Sequence, residues 1–136
     1  IKVALYICYE IAFPNEVRVH LNNAGLIVTI SDDAWFGRSI GPLQHEQMAQ
    51  MRAVENQRYV LQATNNGLTT VISPEGKILK KLPQFKQGVL TEQVIARSGY
   101  TLWERYGITL SLLVLVLMLL LALLLSHKKN KESRRG

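Results

Sequence analysis

The chain has a single cysteine, Cys8, in the stretch ICYE, where an apolar run meets a glutamate. A thiol acts as a nucleophile through its thiolate, which backbone N–H groups, the positive end of a helix or a nearby cation stabilise. A strand, then Cys8, then a short loop into a helix would lift the sulfur onto a tight turn. There the Tyr9 backbone N–H is placed to bind an oxyanion. Glu10 suits two roles: it can orient a reacting partner, or it can serve as a carboxylate at a helix start. Asp32, Asp33, Ala34, Trp35 and Phe36 follow the next apolar run, at the strand end where parallel sheets build sites. Trp35 and Phe36 suit contact with a substrate, and a Trp that pins a loop is the plain alternative for Trp35. For Cys8 the alternative on residue type alone is an inert core thiol. His20, His45 and His127 lack ligand spacing, so no metal is expected, and no Gly-rich phosphate motif is present. Turn chemistry accounts for Asn65, Asn66 and Gly67.

Several elements must position these groups. Ile1 to Cys8 reads as a buried central strand that needs neighbours, so the chain is expected to be the C-terminal piece of a longer protein. PNEVRVHLNNAG reads as a helix, with Pro14 in its first turn and Gly25 at its stop. Leu26 to Asp33 is a second buried strand, which completes a βαβ unit and implies a parallel sheet in an α/β fold. AWFGRSIGP is a loop, followed by a helix from Leu43 to Asn56 with Met48, Met51 and Val54 as its core face. RYVLQATN and LTTVISPEG read as strands about the Asn66–Gly67 turn, and KILKKL and GVLTEQVIA as strands nearer an edge.

The net charge of +6 suggests nucleic acid until it is located along the chain. Residues 126–136 carry five Lys or Arg against one Glu, so +4 of the net +6 lies in the tail. The body is nearly balanced, and no nucleic-acid partner is expected. Before the tail, Ile108 to Leu125 runs 18 residues without a charge. At about 1.5 Å per residue, such a helix matches the roughly 30 Å hydrocarbon core of a bilayer. Trp103 and Tyr106 precede it and the basic cluster follows, so residues 126–136 are expected to be cytoplasmic and disordered, with the domain on the other side. That compartment favours disulfides, yet Cys8 has no partner in the chain.

ICYE at 7–10, ISDDAWFG at 30–37, IGPLQH at 40–45, QMRAVENQRYVLQATNNGLT at 50–69 and SPEGKI at 73–78 together resemble the catalytic domain of the apolipoprotein N-acyltransferases. These are the membrane-bound branch of the nitrilase, or carbon-nitrogen hydrolase, superfamily. The resemblance covers essentially the whole chain and implies the C-terminal part of an α-β-β-α sandwich over residues 1–99. A juxtamembrane segment at 100–107, a transmembrane helix at 108–125 and a basic tail at 126–136 would follow. It further implies a Glu, Lys and Cys triad, with Cys8 matching the nucleophile and Tyr9 and Glu10 in the positions after it. Such enzymes need no cofactor and sit, multi-pass, in the bacterial inner membrane. They pass a fatty acyl chain from a phospholipid, through a Cys thioester, to the amino group of the diacylglyceryl-cysteine of an apolipoprotein. Their Glu and Lys lie far more than eight residues before the Cys, so Lys2 is not that lysine, and residues 1–136 alone are expected to be inactive. A membrane-tethered nitrilase-like amidohydrolase shares the thioester chemistry and is the runner-up. A tethered scaffold with a dead site is the third reading.

Overall fold

In Val3–Ile7 (β1), Ala4 and Tyr6 are buried, whereas Val3, Leu5 and Ile7 face outward. That alternation marks a strand covered on one face. The computed structural model describes residues 1–133 and divides them into two compact units, Ile1–Arg105 and the residues from Tyr106 onward. In the first unit β1 stands at the end of a five-stranded sheet of order β1-β2-β3-β4-β5 among the described residues.

The helix α1 (Pro14–His20) carries the chain from β1 to β2 (Leu26–Asp32), which lies parallel to it with Val3 opposite Leu26 and Ile7 opposite Ile30. α1 stops short of Gly25 because Asn22 and Asn23 take left-handed conformations, with φ of 42° and 60°. The longer α2 (Gly41–Asn56) returns the chain to β3 (Tyr59–Asn65), parallel to β2. β4 (Thr69–Ile72) and β5 (Ile78–Leu82) then add antiparallel hairpins, turned at Asn66, φ 59°, and Gly76, φ 79°. Residues 88–96, expected as a strand, belong to no ladder, and Val89 and Ile95 are largely exposed. They are held by isolated contacts instead, such as Lys80 Nζ donating to the Thr91 carbonyl at 2.6 Å.

Pairing aligns the side chains into rows across the sheet. Ala4, Ile27, Val60 and Ile72 form one row and are buried with Ile11 and Val17 as the apolar core. Full burial of each large aliphatic contributes about 1.5–3 kcal/mol. The next row on that face is polar: Tyr6, Thr29, Gln62, Thr70 and Lys81. α2 answers it with buried His45, Glu46, Ala49, Arg52, Ala53 and Asn56, and Lys81 meets Glu46 at 2.9 Å. Met51 and Val54 therefore face outward, and the expected methionine core face is not the packed one. A helix over a polar row buries the side chains that match it. On the opposite face of the sheet, Leu5, Val28, Leu61 and Val71 align in an apolar row, of which Leu5 is exposed.

A short helix, α3 (Leu102–Tyr106), comes next in the chain, and in the second unit α4 (Ile108–Ser133) contains one stretch, Ile108–His127, long and apolar enough to cross a membrane, none of it buried. The tail expected to be disordered is helical as far as Ser133, since Lys and Glu prolong a helix already nucleated. Residues 134–136 lie outside the described residues.

Arg58 ties the first unit together. Its guanidinium, 2% exposed, donates to the carbonyls of Ala24 at 2.8 Å, Asn56 at 2.9 Å and Gly99 at 2.7 Å. It also faces the buried Glu104 carboxylate at 3.9 Å, which is too long for a hydrogen bond. Burial raises the Glu104 pKa above its ordinary 4.5, and the Arg58 charge only partly opposes that. A carboxyl whose pKa is higher folded than unfolded holds its proton more tightly when folded. Its contribution to stability is therefore greatest below pH 4.5 and falls as pH rises through the raised value. Glu104→Gln in the full-length protein is expected to leave the melting temperature at pH 7 unchanged or higher. It should also flatten the decline above pH 4.5, both measurable by thermal melts across pH.

Candidate active site

Cys8 directly follows β1 and begins a 3-10 turn, Cys8–Ala12, with φ at +52°. A left-handed conformation is uncommon for a residue with a side chain and costs on the order of 1–2 kcal/mol. The turn is anchored on both sides. Ahead of it, the Glu10 carboxylate accepts the Ile7 backbone N–H at 2.7 Å, so Glu10 is a helix-start carboxylate in this chain. Below it, the Tyr6 hydroxyl donates to the Val17 carbonyl at 2.9 Å and binds β1 to α1. Burial, with a smaller contribution from the Glu10 charge, pushes the Tyr6 pKa up to about 12, so this donor keeps its proton at any physiological pH. Tyr9 is exposed and meets Phe13 edge to face, with ring centroids 5.6 Å apart.

The end of β2 supplies the next groups. Ser31 Oγ lies 3.4 Å from Cys8 Sγ and 2.6 Å from Asp33 Oδ1. The one hydroxyl hydrogen of Ser31 is shared between the two acceptors, and the shorter contact, to the carboxylate, is the stronger. Asp33 is 1% exposed, and its N–H continues the sheet by donating to the Asn65 carbonyl at 3.1 Å. Asp32 instead points outward, accepting from the Ala34 N–H at 3.0 Å and from the Asn65 amide at 3.3 Å. It thereby fixes the turn Ala34–Phe36, on which Trp35 is 71% exposed and stacked on Phe36 at 4.2 Å.

His45, in the first turns of α2, completes the site. Its Nδ1 lies 3.1 Å from Asp33 Oδ1, and its Nε2 lies 3.1 Å from the Cys8 carbonyl oxygen. Both partners accept. The two contacts are satisfied together when Nε2 carries a hydrogen and one further proton lies between Nδ1 and Oδ1. Asp33 and His45 thus form one proton-sharing pair. The hydrogen bonds make a closed loop that leaves Cys8 at its sulfur, passes through Ser31, Asp33 and His45, and returns at its carbonyl.

Of the residues expected from sequence, the fold brings Cys8, Tyr9 and Glu10 onto one turn and Trp35 and Phe36 onto a neighbouring one. Ser31 and His45 were missed as site residues. The signal for His45 was the small and polar set at 45, 46, 49, 52, 53 and 56, a helix face with little apolar reason to be buried. Gly67 was assigned to turn chemistry, yet a Cβ there would overlap the Asp33 carboxylate and lie 2.7 Å from Asp33 Cβ. Gly67→Ala is expected to displace Asp33 and destabilise the domain by about 1–3 kcal/mol, the usual cost of overpacking. Thermal melts of the full-length variant measure it.

Comparison with known proteins places this geometry in a family. A carbon-nitrogen hydrolase family model matches residues 1–103. Apolipoprotein N-acyltransferases of Pseudomonas paraeruginosa, Coxiella burnetii and Shewanella oneidensis are 48%, 48% and 50% identical over 107, 121 and 115 residues. These matches cover 79%, 85% and 84% of this chain but 21%, 25% and 22% of the relatives, so the chain spans about a quarter of their length or less. Among solved structures, Saccharomyces cerevisiae Nit3, a member of branch 10 of the nitrilase superfamily, aligns with a TM-score of 0.52 at 24% identity. That alignment covers 62% of this chain and 34% of Nit3. A Helicobacter pylori carbon-nitrogen hydrolase aligns with a TM-score of 0.55 at 15% identity, covering 63% of this chain and 38% of that one. The fold is accordingly nitrilase-like, and the chain belongs to the carbon-nitrogen hydrolase family.

Proposed function

We propose that this chain is the nucleophile-bearing part of a membrane N-acyltransferase acting on bacterial apolipoproteins. The observation that carries the reading is the identity near 48% to chains named apolipoprotein N-acyltransferase. A free thiol on a strained turn at the end of a strand supports it. In the first half-reaction the Cys8 sulfur attacks the ester carbonyl of a phospholipid. The S–C bond forms, the ester C–O bond breaks, and the lysophospholipid oxygen leaves with a proton. In the second half-reaction the amino group of a diacylglyceryl-cysteine attacks the thioester carbonyl. The amide N–C bond forms, the S–C bond breaks, and the nitrogen gives up a proton to regenerate the thiol.

The proton transfers need a base, and an oxyanion needs a cation beside the Tyr9 N–H. By resemblance these are a Glu and a Lys from a preceding part of the protein. The apolar row Leu5, Val28, Leu61 and Val71 supports a second sheet packing on that face, as an α-β-β-α sandwich requires. Tyr9 and Glu10 would then border the oxyanion and the triad, and Trp35 and Phe36 an acyl chain. α4 would span the inner membrane, with the end of the chain cytoplasmic and residues 1–99 periplasmic, so that a lipid donor reaches Cys8 from the bilayer.

Incubating the full-length enzyme with phospholipid is expected to add one long acyl chain to Cys8, detected by intact mass and removed by hydroxylamine. Cys8→Ala should carry no adduct, and Cys8→Ser should lower turnover by about a thousandfold or more. A labile small adduct from an amide or nitrile, with none from phospholipid, would instead establish the amidohydrolase. Full lipoprotein maturation by Cys8→Ala would leave only the scaffold reading. Residues 1–136 alone are expected to transfer no acyl chain.

A further inference from the structure

The Asp33–His45 pair is buried, reaches the Cys8 carbonyl through His45 Nε2, and is unused by the chemistry above. Its ring touches the main chain of Cys8, whereas the sulfur is met by Ser31. A His acting as base on a thiol faces the sulfur. Here the imidazole instead grips a carbonyl, and its other nitrogen is held by a carboxylate that is itself fixed by Ser31 and pressed against Gly67.

What a grip on the Cys8 carbonyl does follows from peptide geometry. The Cys8–Tyr9 peptide is planar and trans, so its C=O and the Tyr9 N–H point in opposite directions. Fixing the carbonyl toward His45 fixes the N–H away from it. Tyr9 also stands in the first turn of the 3-10 segment, where backbone N–H groups have no partner from within the helix. The same grip holds Cys8 at φ +52°, a conformation that relaxes unless its surroundings over-determine it. We propose that Asp33 and His45 are positioning residues: through the Nε2 hydrogen bond to the Cys8 carbonyl they orient the Tyr9 N–H as the oxyanion donor for acyl transfer at Cys8. The inference rests on the Cys8 thioester reading and assigns its oxyanion stabilisation to a pair outside the Glu, Lys and Cys triad.

Two reactions of the same sulfur separate this role from a structural one. Acylation by an ester passes through a tetrahedral oxyanion, whereas alkylation by iodoacetamide is a displacement that forms none. His45→Asn retains a donor near the Nδ1 position and loses the one at Nε2, and His45→Gln places an amide N–H near Nε2. In the full-length enzyme, Cys8 acylation by a p-nitrophenyl ester should fall about 10- to 100-fold in His45→Asn, by analogy with losing an oxyanion donor. Alkylation should stay within about threefold, and His45→Gln should recover most of the acylation rate. An acylation rate in His45→Asn within about threefold of the parent overturns the proposal. So does a fall in both reactions together in both variants, which would make His45 a packing residue. Parallel assays with phospholipid keep the two readings apart. A parent enzyme acylated by the p-nitrophenyl ester and not by phospholipid refutes the lipid donor and leaves the His45 result standing.

Discussion

The hydrogen bond from His45 Nε2 to the carbonyl of Cys8 ties the turn that carries the thiol to α2. β1 delivers the cysteine and β2 delivers Ser31 and Asp33. α2 delivers His45, and the β3–β4 turn supplies the glycine against which Asp33 rests. Four separate segments therefore converge on one peptide unit. A left-handed Cys8 is tolerable because that convergence leaves it no relaxed alternative. Strain at a nucleophile persists only where the surroundings are stiff, and a parallel sheet in register is a stiff mount.

The polar row under α2 reflects the same requirement. Tyr6, Thr29, Gln62, Thr70 and Lys81 lie side by side across five strands, where an ordinary α/β core would be aliphatic. Glu46 can be buried on α2 because Lys81 in that row meets it at 2.9 Å, whereas His45 is held by Asp33 and the Cys8 carbonyl. An apolar side chain in place of Lys81 would strand the carboxylate, at a cost of several kcal/mol for a buried charge. The aliphatic row of Ala4, Ile27, Val60 and Ile72 supplies burial, and the polar row supplies position. The two rows are neighbours on one face, two residues apart along each strand, because every second side chain returns to the same face.

On the other face, the division of labour proposed for the whole enzyme has a physical basis. In that proposal the chain would hold the nucleophile and its positioning pair, while a base and a cation would come from elsewhere, across an apolar sheet face. Burial of that face would couple assembly of the domain to assembly of the triad. The catalytic groups then meet only when the fold is complete.

Much of the scaffold was legible from local pattern. The βαβ unit, the hairpin at Asn66 and Gly67, the long apolar helix and Cys8 at a strand end all follow from periodicity, turn residues and breakers within about ten residues of each other. The errors occurred where local pattern is degenerate. Residues 88–96 read as a strand although no neighbour pairs with them. Met51 and Val54 read as core because the row beneath α2 cannot be known before the strands are in register. His45 shows the limit most plainly. By itself the sequence determined that a lone thiol ends a strand and enters a turn, since that depends on adjacent residues. Only the tertiary structure decided that an imidazole 37 residues away holds the carbonyl of that cysteine. Hydrogen bonds between distant segments are set by sheet pairing and helix packing, and neither is encoded at the position of the residue that depends on them.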